Sequence, residues 1–457
     1  MSEFLILLLF YAIAGSAIAF YARKYGVSEH ADYFIAGRSI GGVISALTYA
    51  ATTYSAFMMV GLVGLAYASG VGAAGFELLY LVGTLFLLSY YSPKIWRLSK
   101  EHNVVSPAEL LSVKYGRVTA VLASTISLIA LIPYTSSQVI GVSLLLEKSG
   151  AMQYEAAIAV TAILIAFWAL IGGLRGVAWT DALQGLIMLT AAVIVVIWVY
   201  FWGFGAGLEF TSQVSSLGEL LYVPNKIWTP LRFAALSVPW FFFALTNPQV
   251  LQRLFIPKDP GAIRRMVILF GTFGLIYTIL VTFLGLELRV LTELERFPSI
   301  SYRDDVTPTL LTIMPSWLSL LVAFSIIAAA ITTANSIILS LSSMVSRDIV
   351  RERGLRVGQV AVIVLTILVA LFAMSRPGYI VELSVLSSTI LLSQLPLILG
   401  LFHGRGGKLT GAATLIAGFT TSVTLSALKL SPAGIPASIW TFIIVFAVFF
   451  AVSQMER

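Results

Sequence analysis

The chain has 457 residues, of which 59% are hydrophobic and only 11% are charged. Because charged residues make up about a quarter of a soluble domain, this composition excludes a water-soluble globular protein and predicts a polytopic membrane protein in a lipid bilayer. The absence of cysteine excludes disulfides, thiolate metal sites and cysteine nucleophiles. The net charge of +7 does not indicate a nucleic-acid partner, because the basic residues lie in short loops beside apolar segments.

The apolar segments predict an all-α protein with roughly thirteen transmembrane helices, since each crossing needs about 20 apolar residues. The first apolar run begins near Phe4 and is preceded by Glu3 rather than by basic residues. We therefore expect it to stay as a span and not to be cleaved as a signal peptide. The predicted spans are 4–22, 40–69, 73–96, 117–146, 154–174, 178–203, 233–255, 265–290, 309–346, 356–375, 379–402, 410–428 and 436–453.

The distribution of basic residues predicts the orientation. An odd number of spans places the two termini on opposite sides, and an outside N-terminus puts about 20 of the 28 Lys and Arg residues inside. The inner loops would then include "KIWRLSKEHNVVSPAELLSVKYGR", "QRLFIPKDPGAIRR" and "RDIVRERGLR", and the outer face the acidic "LELRVLTELERFPSISYRDD". The sequence thus predicts a multi-pass plasma-membrane protein with a cytoplasmic C-terminus.

Polar residues interrupt the second and seventh spans. The second contains "TYAATTYSAF" (48–57), and the seventh contains "TNPQ" (246–249), whose proline cannot continue a regular helix. Irregular backbone at membrane depth is tolerated mainly where it lines a cavity, so we expect two broken helices. Their spacing predicts that spans two to six and seven to eleven form inverted five-helix repeats around a central site, a pattern typical of transporters.

The ninth span contains the polar stretch "AAITTANS" (329–336). At about 3.6 residues per turn, Thr332, Asn335 and Ser336 share one face, and Thr333 lies over Ala329. The hydroxyls could bond back to helix carbonyls or join helices. Alternatively, the Thr333 hydroxyl and the Ala329 carbonyl could contribute to a cation site. Neutral oxygens suit Na+, whereas a proton relay needs a carboxylate or histidine.

Few titratable residues lie in the predicted spans. The carboxylates there are Glu77, Asp181 and Glu382, and the three histidines, His30, His102 and His403, fall in predicted inner loops. This argues against histidine-based proton coupling or metal catalysis, although a proton-coupled carrier using a span carboxylate stays open. A solute channel or sensor is the alternative from another class. No HExxH motif or Ser–His pair favours an enzyme.

Several motifs occur in the order found in a known family. They are "DYFIAGRSIGG", "VVSPAELLSVKYG", "GGLRGVAWTDALQG", "NPQVLQRLFIPKD" and "AAITTANS". With these motifs the chain resembles the sodium/solute symporter family, which includes the sodium/proline, sodium/galactose and sodium/sialic acid symporters. The resemblance implies secondary active transport, in which inward Na+ flux drives uptake of a small organic solute by alternating access. The solute would be an amino acid such as proline, a monocarboxylate or a sugar.

The resemblance also implies the architecture. The fold would be a LeuT-type core of two inverted five-helix repeats, covering 40–203 and 233–402. An N-terminal helix and inner loop (1–39) would precede the core, and two C-terminal helices (403–457) would follow it. The whole chain would be one transporter domain, and a monomer would be sufficient for transport.

Sodium ligands can be carried over from the family by motif position. The implied site comprises the carbonyls of Ala51, Tyr54 and Ala329 and the hydroxyls of Thr332 and Thr333. Some members have a second sodium site near the "TD" motif. Its counterparts here would be Asp181, Asn335 and Ser336, with Asn335 at a position where a serine is expected.

The implied solute pocket lies beside both broken helices. Its expected lining is Thr52, Thr53, Glu77, Tyr134, Gln138, Trp240, Phe243, Asn247, Pro248 and Gln394. Thr53 stands where the proline symporter has an acidic residue, and Ala244 replaces an aromatic residue there. Glu77 and Asn247 resemble polar positions of sugar-transporting members. This lining contains no Arg or Lys that could bind a carboxylate, so the sequence leaves the solute class open.

Overall fold

The computed structural model describes residues 2–23, 30–205, 208–351 and 355–456, so residues 24–29 of the predicted first inner loop lie outside it. Helices dominate the described residues. They are α1 (Ser2–Arg23), α2 (His30–Ile35), α3 (Gly42–Thr53), α4 (Val63–Ser69), α5 (Gly72–Glu101), α6 (Pro107–Lys148), α7 (Tyr154–Phe204), α8 (Leu208–Gln213), α9 (Pro230–Phe241), α10 (Phe243–Thr246), α11 (Pro248–Arg253), α12 (Pro260–Glu293), α13 (Val306–Ile313), α14 (Ser316–Met344), α15 (Leu355–Met374), α16 (Ile380–Leu391), α17 (Leu395–Phe402), α18 (Lys408–Ala427) and α19 (Ala437–Met455).

The helix lengths do not confirm the predicted count of thirteen spans. Within the described residues, nine helices are long and apolar enough to cross a membrane, and the bent segment from α3 to α4 makes up to ten. The predicted spans 154–174 and 178–203 both fall in α7, which has 51 residues and an internal kink at Gly173 (φ +52°). At about 1.5 Å per residue this helix is long enough for two crossings. Glycine permits the kink because it has no Cβ to clash at positive φ.

The predicted interruption in span two is confirmed. Helix α3 ends at Thr53 because Tyr54 has an extended backbone, with φ −90° and ψ 96°. Helical structure resumes as a π-helical segment, Phe57–Leu62, and continues into α4. The two arms are bent by 50°. A helix end of this kind leaves backbone carbonyls without an intrahelical partner.

The predicted interruption at "TNPQ" is also confirmed. Helix α10 ends at Thr246, Asn247 is extended with φ −90° and ψ 115°, and Pro248 begins α11. Proline suits a first helical position because its missing N–H would have no helical partner there. Helix α11 contacts both α3 and α14. The two breaks and the polar stretch of α14 are therefore neighbours.

Helix α14 lies at the centre of the bundle. Every residue from Ala328 to Met344 is buried, and the helix contacts α3, α6, α7 and α15. The bundle around it is tightly packed. At Gly285 of α12, for example, a Cβ would lie 2.5 Å from the Val63 carbonyl oxygen. A polar group on α14 therefore depends on its protein neighbours or a bound ligand for hydrogen bonds.

Candidate functional site

Thr333 joins α14 to the broken end of α3. Its hydroxyl donates hydrogen bonds to the carbonyl oxygens of Ala51 at 3.0 Å and Thr52 at 3.2 Å. These carbonyls are free to accept because α3 ends at Thr53 and leaves its last turn without helical donors. Two of the predicted sodium ligands, Ala51 and Thr333, are thus brought together. The contact also shows that the Thr333 hydroxyl does not simply bond back to its own helix.

Thr332 lies on a different side of α14. With Asn335 it lines a narrow cavity against α7 and α1, which Gln184 and Gly15 also line. Within the described residues, the Thr332 hydroxyl and the side-chain carbonyls of Asn335 and Gln184 are buried without a hydrogen-bond partner. Buried oxygens without a protein partner are uncommon in folded proteins, and oxygens of this kind can bind a cation or a water molecule. This cluster is uncharged.

The remaining predicted sodium ligands lie close to these groups along the chain. Tyr54 is the residue at which α3 stops, and its N–H donates to the Ala50 carbonyl at 2.7 Å. Ala329 is buried in α14 one turn before Thr333. The region between α3 and α14 therefore combines helix-end carbonyls with the Thr333 hydroxyl, and the Thr332 hydroxyl faces the adjacent narrow cavity. Oxygen ligands of this kind suit a hard cation.

An arginine lies among the residues predicted for a second sodium site. Arg253 of α11 is fully buried, and its Nη2 lies 3.5 Å from Asp181 Oδ2. The same nitrogen donates to Ser336 Oγ at 2.5 Å, and Nε donates to Thr48 Oγ1 at 3.2 Å. Thr48 in turn donates to Asp181 Oδ2 at 2.5 Å. The guanidinium thus supplies the positive charge for the Asp181 carboxylate.

The sequence places Arg253 in the predicted inner stretch "QRLFIPKDPGAIRR" and gives it no role in a site. Its side chain nevertheless has 0% exposure and pairs with Asp181. Asn335, the third residue predicted for the second sodium site, lines the narrow cavity beside Thr332. A signal for the buried position of Arg253 is present in the sequence. Gln249, Gln252 and Arg253 have i, i+3, i+4 spacing, which places three polar side chains on one helix face.

Aromatic rings surround part of the predicted solute pocket. The ring centroid of Trp240 lies 4.9 Å from that of Phe243 and 6.5 Å from that of Tyr134. Tyr80 lies 5.7 Å from both Trp240 and Phe243. Trp240 Nε1 donates to Glu77 Oε2 at 3.1 Å. The structure therefore brings four predicted residues together and adds Tyr80, which follows Glu77 by three residues and so shares its helix face.

The other predicted solute residues have different surroundings. Asn247 Nδ2 donates to Thr246 Oγ1 at 3.3 Å and to Ser388 Oγ at 3.4 Å, immediately before Pro248. Gln394 donates to Ser127 at 2.8 Å, and Gln138 bonds within its own helix to the Tyr134 carbonyl and Ser137. Thr52 contacts Ser336 at 3.2 Å, and Thr53 is buried without a partner among the described residues. These contacts do not gather the polar residues into one cluster.

A polar cavity of about 530 Å³ opens where α6 and α7 meet the 302–305 and 376–379 segments. Two ion pairs cross it, Arg376–Glu147 at 2.7 Å and Lys148–Asp305 at 2.9 Å. Next to it, Asp304 Oδ2 accepts the Ile380 N–H at 2.8 Å. Burial raises the pKa of Asp304 to about 7, although this hydrogen bond acts in the opposite direction. The cavity lies on the side that the sequence predicts to be outside.

Comparisons with known proteins show the family of the chain. The model of the sodium:solute symporter family matches residues 33–418. The sodium/pantothenate symporter of Escherichia coli (strain K12) is 26% identical over 448 residues, which cover 91% of each chain. The high-affinity proline transporter of Bacillus subtilis (strain 168) is 25% identical over 252 residues, or 54% of this chain and 53% of that protein.

Solved structures share the fold. A substrate-bound, outward-open Na+-coupled sialic acid symporter has a TM-score of 0.84 at 20% identity, covering 99% of this chain and 97% of that one. A closed nucleobase-cation-symport-1 family transporter has a TM-score of 0.60 at 12% identity, covering 93% and 94%. The predicted LeuT-type fold is thus confirmed. The matching relatives are transporters and not enzymes, and Na+ is the coupling ion. The chain is a multi-pass membrane protein that belongs to the sodium:solute symporter family.

Proposed function

We propose that the protein takes up a small organic solute together with inward-moving Na+ by alternating access. External Na+ binds first between α3 and α14, and the solute then binds beside the broken helices. Coupling requires that both ligands favour the same conformation, because a ligand with equal affinity for two states shifts nothing. At an inward potential of about 100 mV each Na+ gains about 2.3 kcal/mol before any concentration gradient. This drive is sufficient for uphill uptake.

The observation that supports this site is the contact between Thr333 and the carbonyls at the end of α3. In the proposal, Na+ binds between these groups and is held by the carbonyls of Ala51, Tyr54 and Ala329 and the hydroxyls of Thr332 and Thr333. The ion would supply Thr332 with the partner that it lacks among the described residues. The ion would also tie α3 to α14, so its release would free the two helices to separate.

Uptake into proteoliposomes tests the proposal, with radiolabelled pantothenate and proline as first probes because relatives are named for them. Thr333→Ala is expected to lower Na+-driven accumulation at least about tenfold, the effect of losing about 1.4 kcal/mol of ion binding. Thr366→Ala is the matched control, because among the described residues this buried hydroxyl of α15 bonds back to the Val362 carbonyl alone, at 2.7 Å.

Accumulation that survives collapse of the Na+ gradient, or an equal response of both variants, would contradict the proposal. A further experiment imposes a pH gradient in K+ medium without Na+. Solute uptake under these conditions would indicate proton coupling. Thermal unfolding in NaCl and in KCl reports Na+ binding even without a known solute, because a ligand that binds only the folded state stabilises it.

We also propose that a single protomer is sufficient for transport, because it contains both ligand sites and both repeats (40–203 and 233–402). We further propose that the N-terminus lies outside the cell. The chain has no cysteine, so single cysteines can be introduced without removing others. Lys226→Cys is expected to react with an impermeant maleimide from outside the cell, whereas Lys258→Cys should react only after permeabilisation. Both side chains are well exposed, at 85% and 60%. The reverse pattern would contradict the orientation.

A further inference from the structure

A groove of about 660 Å³ lies at the surface of the bundle between α6 and α15. It is also lined by Val345 and Val350, which belong to the π-helical segment (Val345–Val350) that continues α14. On α15 the groove is lined by Val360, Val364 and Leu368, which are 43–59% exposed. In a membrane-spanning protein, exposed apolar side chains of this kind face lipid. We call this feature the α6–α15 groove.

The lining of the α6–α15 groove is apolar except at two positions, Thr125 and Arg356. The Thr125 hydroxyl donates back to the Val121 carbonyl at 2.9 Å and so needs no ligand. Arg356 is the second residue of α15, which begins at Leu355, and it therefore lies at one end of the groove. The groove thus combines a long apolar surface with a cation at one end.

The length of the groove matches one leaflet of a bilayer. Helix α15 has 20 residues and is apolar enough to cross a membrane, so at 1.5 Å per residue it spans about the 30 Å of a hydrocarbon core. The groove residues Arg356 and Leu368 are separated by about 18 Å along the helix, and one leaflet is about 15 Å deep. Arg356 therefore lies at the level of the lipid headgroups, which in the proposed orientation are those of the cytoplasmic leaflet.

Two arginines at this end have no protein partner among the described residues. Arg356 and Arg351, which directly follows the π-helical segment, are both exposed, and neither forms an ion pair or a hydrogen bond there. The charged residues of that segment already have partners. Arg347 pairs with Glu109 at 2.6 Å, and the Asp348 carboxylate accepts from two serine hydroxyls. Two guanidinium groups are thus available to an anion beside the groove.

We propose that the α6–α15 groove binds an anionic phospholipid, with an acyl chain along its apolar walls and the phosphate against Arg351 and Arg356. Guanidinium groups bind phosphate oxygens through paired hydrogen bonds, and basic residues at a membrane surface attract anionic lipids. A zwitterionic lipid has the same phosphate but adds an ammonium group, which the two arginines repel. The lipid would contact α6, α15 and the continuation of α14. The proposal is independent of the proposed function, because it concerns neither Na+ nor solute.

Lipid binding to the purified, delipidated full-length protein in detergent tests the proposal. The probes are dioleoyl phosphatidylglycerol, which is anionic, dioleoyl phosphatidylethanolamine, which is zwitterionic, and glycerol 3-phosphate, which has a headgroup without acyl chains. Native mass spectrometry measures the lipid bound per protomer, and thermal unfolding reports stabilisation by binding. Phosphatidylglycerol is expected to bind at least about tenfold more tightly than phosphatidylethanolamine, and glycerol 3-phosphate should not stabilise the protein.

A first pair of variants tests the cationic end. Arg351→Gln combined with Arg356→Gln is expected to weaken phosphatidylglycerol binding at least about tenfold, and phosphatidylethanolamine binding less than about threefold. The matched control is Arg264→Gln combined with Arg265→Gln. These two arginines are also exposed and lie near the start of α12, outside the groove. The control should change the binding of either lipid less than about twofold.

A second pair tests the apolar surface. Val364→Trp places a bulky side chain in the groove and is expected to weaken the binding of both lipids about tenfold, because the acyl chain loses buried contact area. Ile268→Trp is the matched control, since Ile268 is an exposed residue of α12 outside the groove. The unfolding temperature without added lipid should be the same in both variants, which separates lipid binding from folding.

Four results would overturn the proposal. They are equal affinity for the two lipids, unchanged phosphatidylglycerol binding in the double arginine variant or in Val364→Trp, equal losses in the variants and their controls, and stabilisation by glycerol 3-phosphate as strong as that by phosphatidylglycerol. A protein dimer that Val364→Trp dissociates would also overturn it, because the groove would then be occupied by a second copy of the chain. Na+-driven uptake that persists in all these cases would leave the proposed function intact.

Discussion

The two polar regions beside α14 differ in how their charge is balanced. On one side, Thr333 contacts the carbonyls at the end of α3, and Thr332 has no partner among the described residues. These groups are neutral oxygens. Within one turn along α14, Ser336 contacts the Thr52 hydroxyl and the guanidinium of Arg253, which also pairs with Asp181. One region therefore offers ligands to a mobile cation, while the other already contains a fixed one.

The difference bears on how many ions the protein can couple. A carboxylate such as Asp181 would be the strongest protein ligand for a second Na+, but Arg253 competes with any cation for it. Placing Na+ there would put two positive charges close together in a region of low polarity, where like charges repel strongly. We therefore expect a single functional sodium site, the one with uncharged ligands.

Asp181→Asn is expected to have the largest effect, because it leaves the Arg253 charge buried and unpaired. Loss of one partner of a buried ion pair costs about 3–5 kcal/mol of unfolding free energy. The double variant Asp181→Asn with Arg253→Met should recover much of this loss, since both charges are then absent. Thermal unfolding in detergent measures the series. Glu382→Gln is the control, because its ion pair with Arg303 is 44% exposed at the carboxylate and should contribute less than about 1 kcal/mol.

Equal losses of unfolding free energy in Asp181→Asn and the double variant would show that other groups stabilise the Arg253 charge. That result would contradict the proposed difference between the two regions.

The next effect concerns Na+ affinity. Thr333→Val keeps the side-chain volume but removes the hydroxyl, so the Na+ concentration for half-maximal stabilisation should rise at least about tenfold. Ser336→Ala, three residues further along α14, should change this Na+ concentration less than about threefold, since the Ser336 hydroxyl accepts a hydrogen bond from Arg253. The NaCl dependence of the unfolding temperature measures both. A larger effect of Ser336→Ala than of Thr333→Val would indicate that Na+ binds beside Arg253.

The ion stoichiometry is the third test. A single site predicts a Hill coefficient near one for Na+-dependent uptake and one Na+ carried per solute. Parallel measurement of radiolabelled Na+ and solute entry into proteoliposomes gives the ratio directly. Two ions per solute would require that Arg253 leave Asp181 during transport or that a further site exist.

The sequence was informative where local chemistry decides the structure. Both helix breaks were predicted from polar residues and Pro248, and the stretch containing Thr332 and Thr333 was identified from its polarity within an apolar span. The burial of Arg253 was not predicted, because a basic residue near the end of a span usually belongs to the adjoining loop. Its burial depends on Asp181, which is 72 residues away in sequence, and local pattern does not reveal such a pairing. The aromatic neighbours of Glu77 likewise come from its own helix and from three others, α6, α9 and α10.

The smallest expected effect concerns Glu456. The Asp181 carboxylate pairs with a buried guanidinium, whereas the Glu456 carboxylate is held by backbone N–H groups. Glu456, after α19, accepts from the N–H groups of Gly407, Leu409 and Thr410 at 2.7 to 2.9 Å, and from the Thr410 hydroxyl. Desolvation raises the pKa of Glu456, but these hydrogen bonds outweigh it and lower the pKa to about 2. Because the pKa is lower in the folded protein, the stabilisation is complete above the ordinary glutamate value of about 4.3 and is lost as the pH falls towards 2.

Glu456→Gln is therefore expected to loosen only the start of α18. Hydrogen exchange at residues 407–410, normalised to the intrinsic rate at each pH, should be faster in the variant at neutral pH and should converge with the unchanged protein near pH 2. The group is largely exposed, so solvent screening keeps its contribution to global stability small. The Na+ dependence of unfolding should not change. A shift in Na+ affinity would show that this surface contact is coupled to the region between α3 and α14, and that the local description of the two carboxylates is wrong.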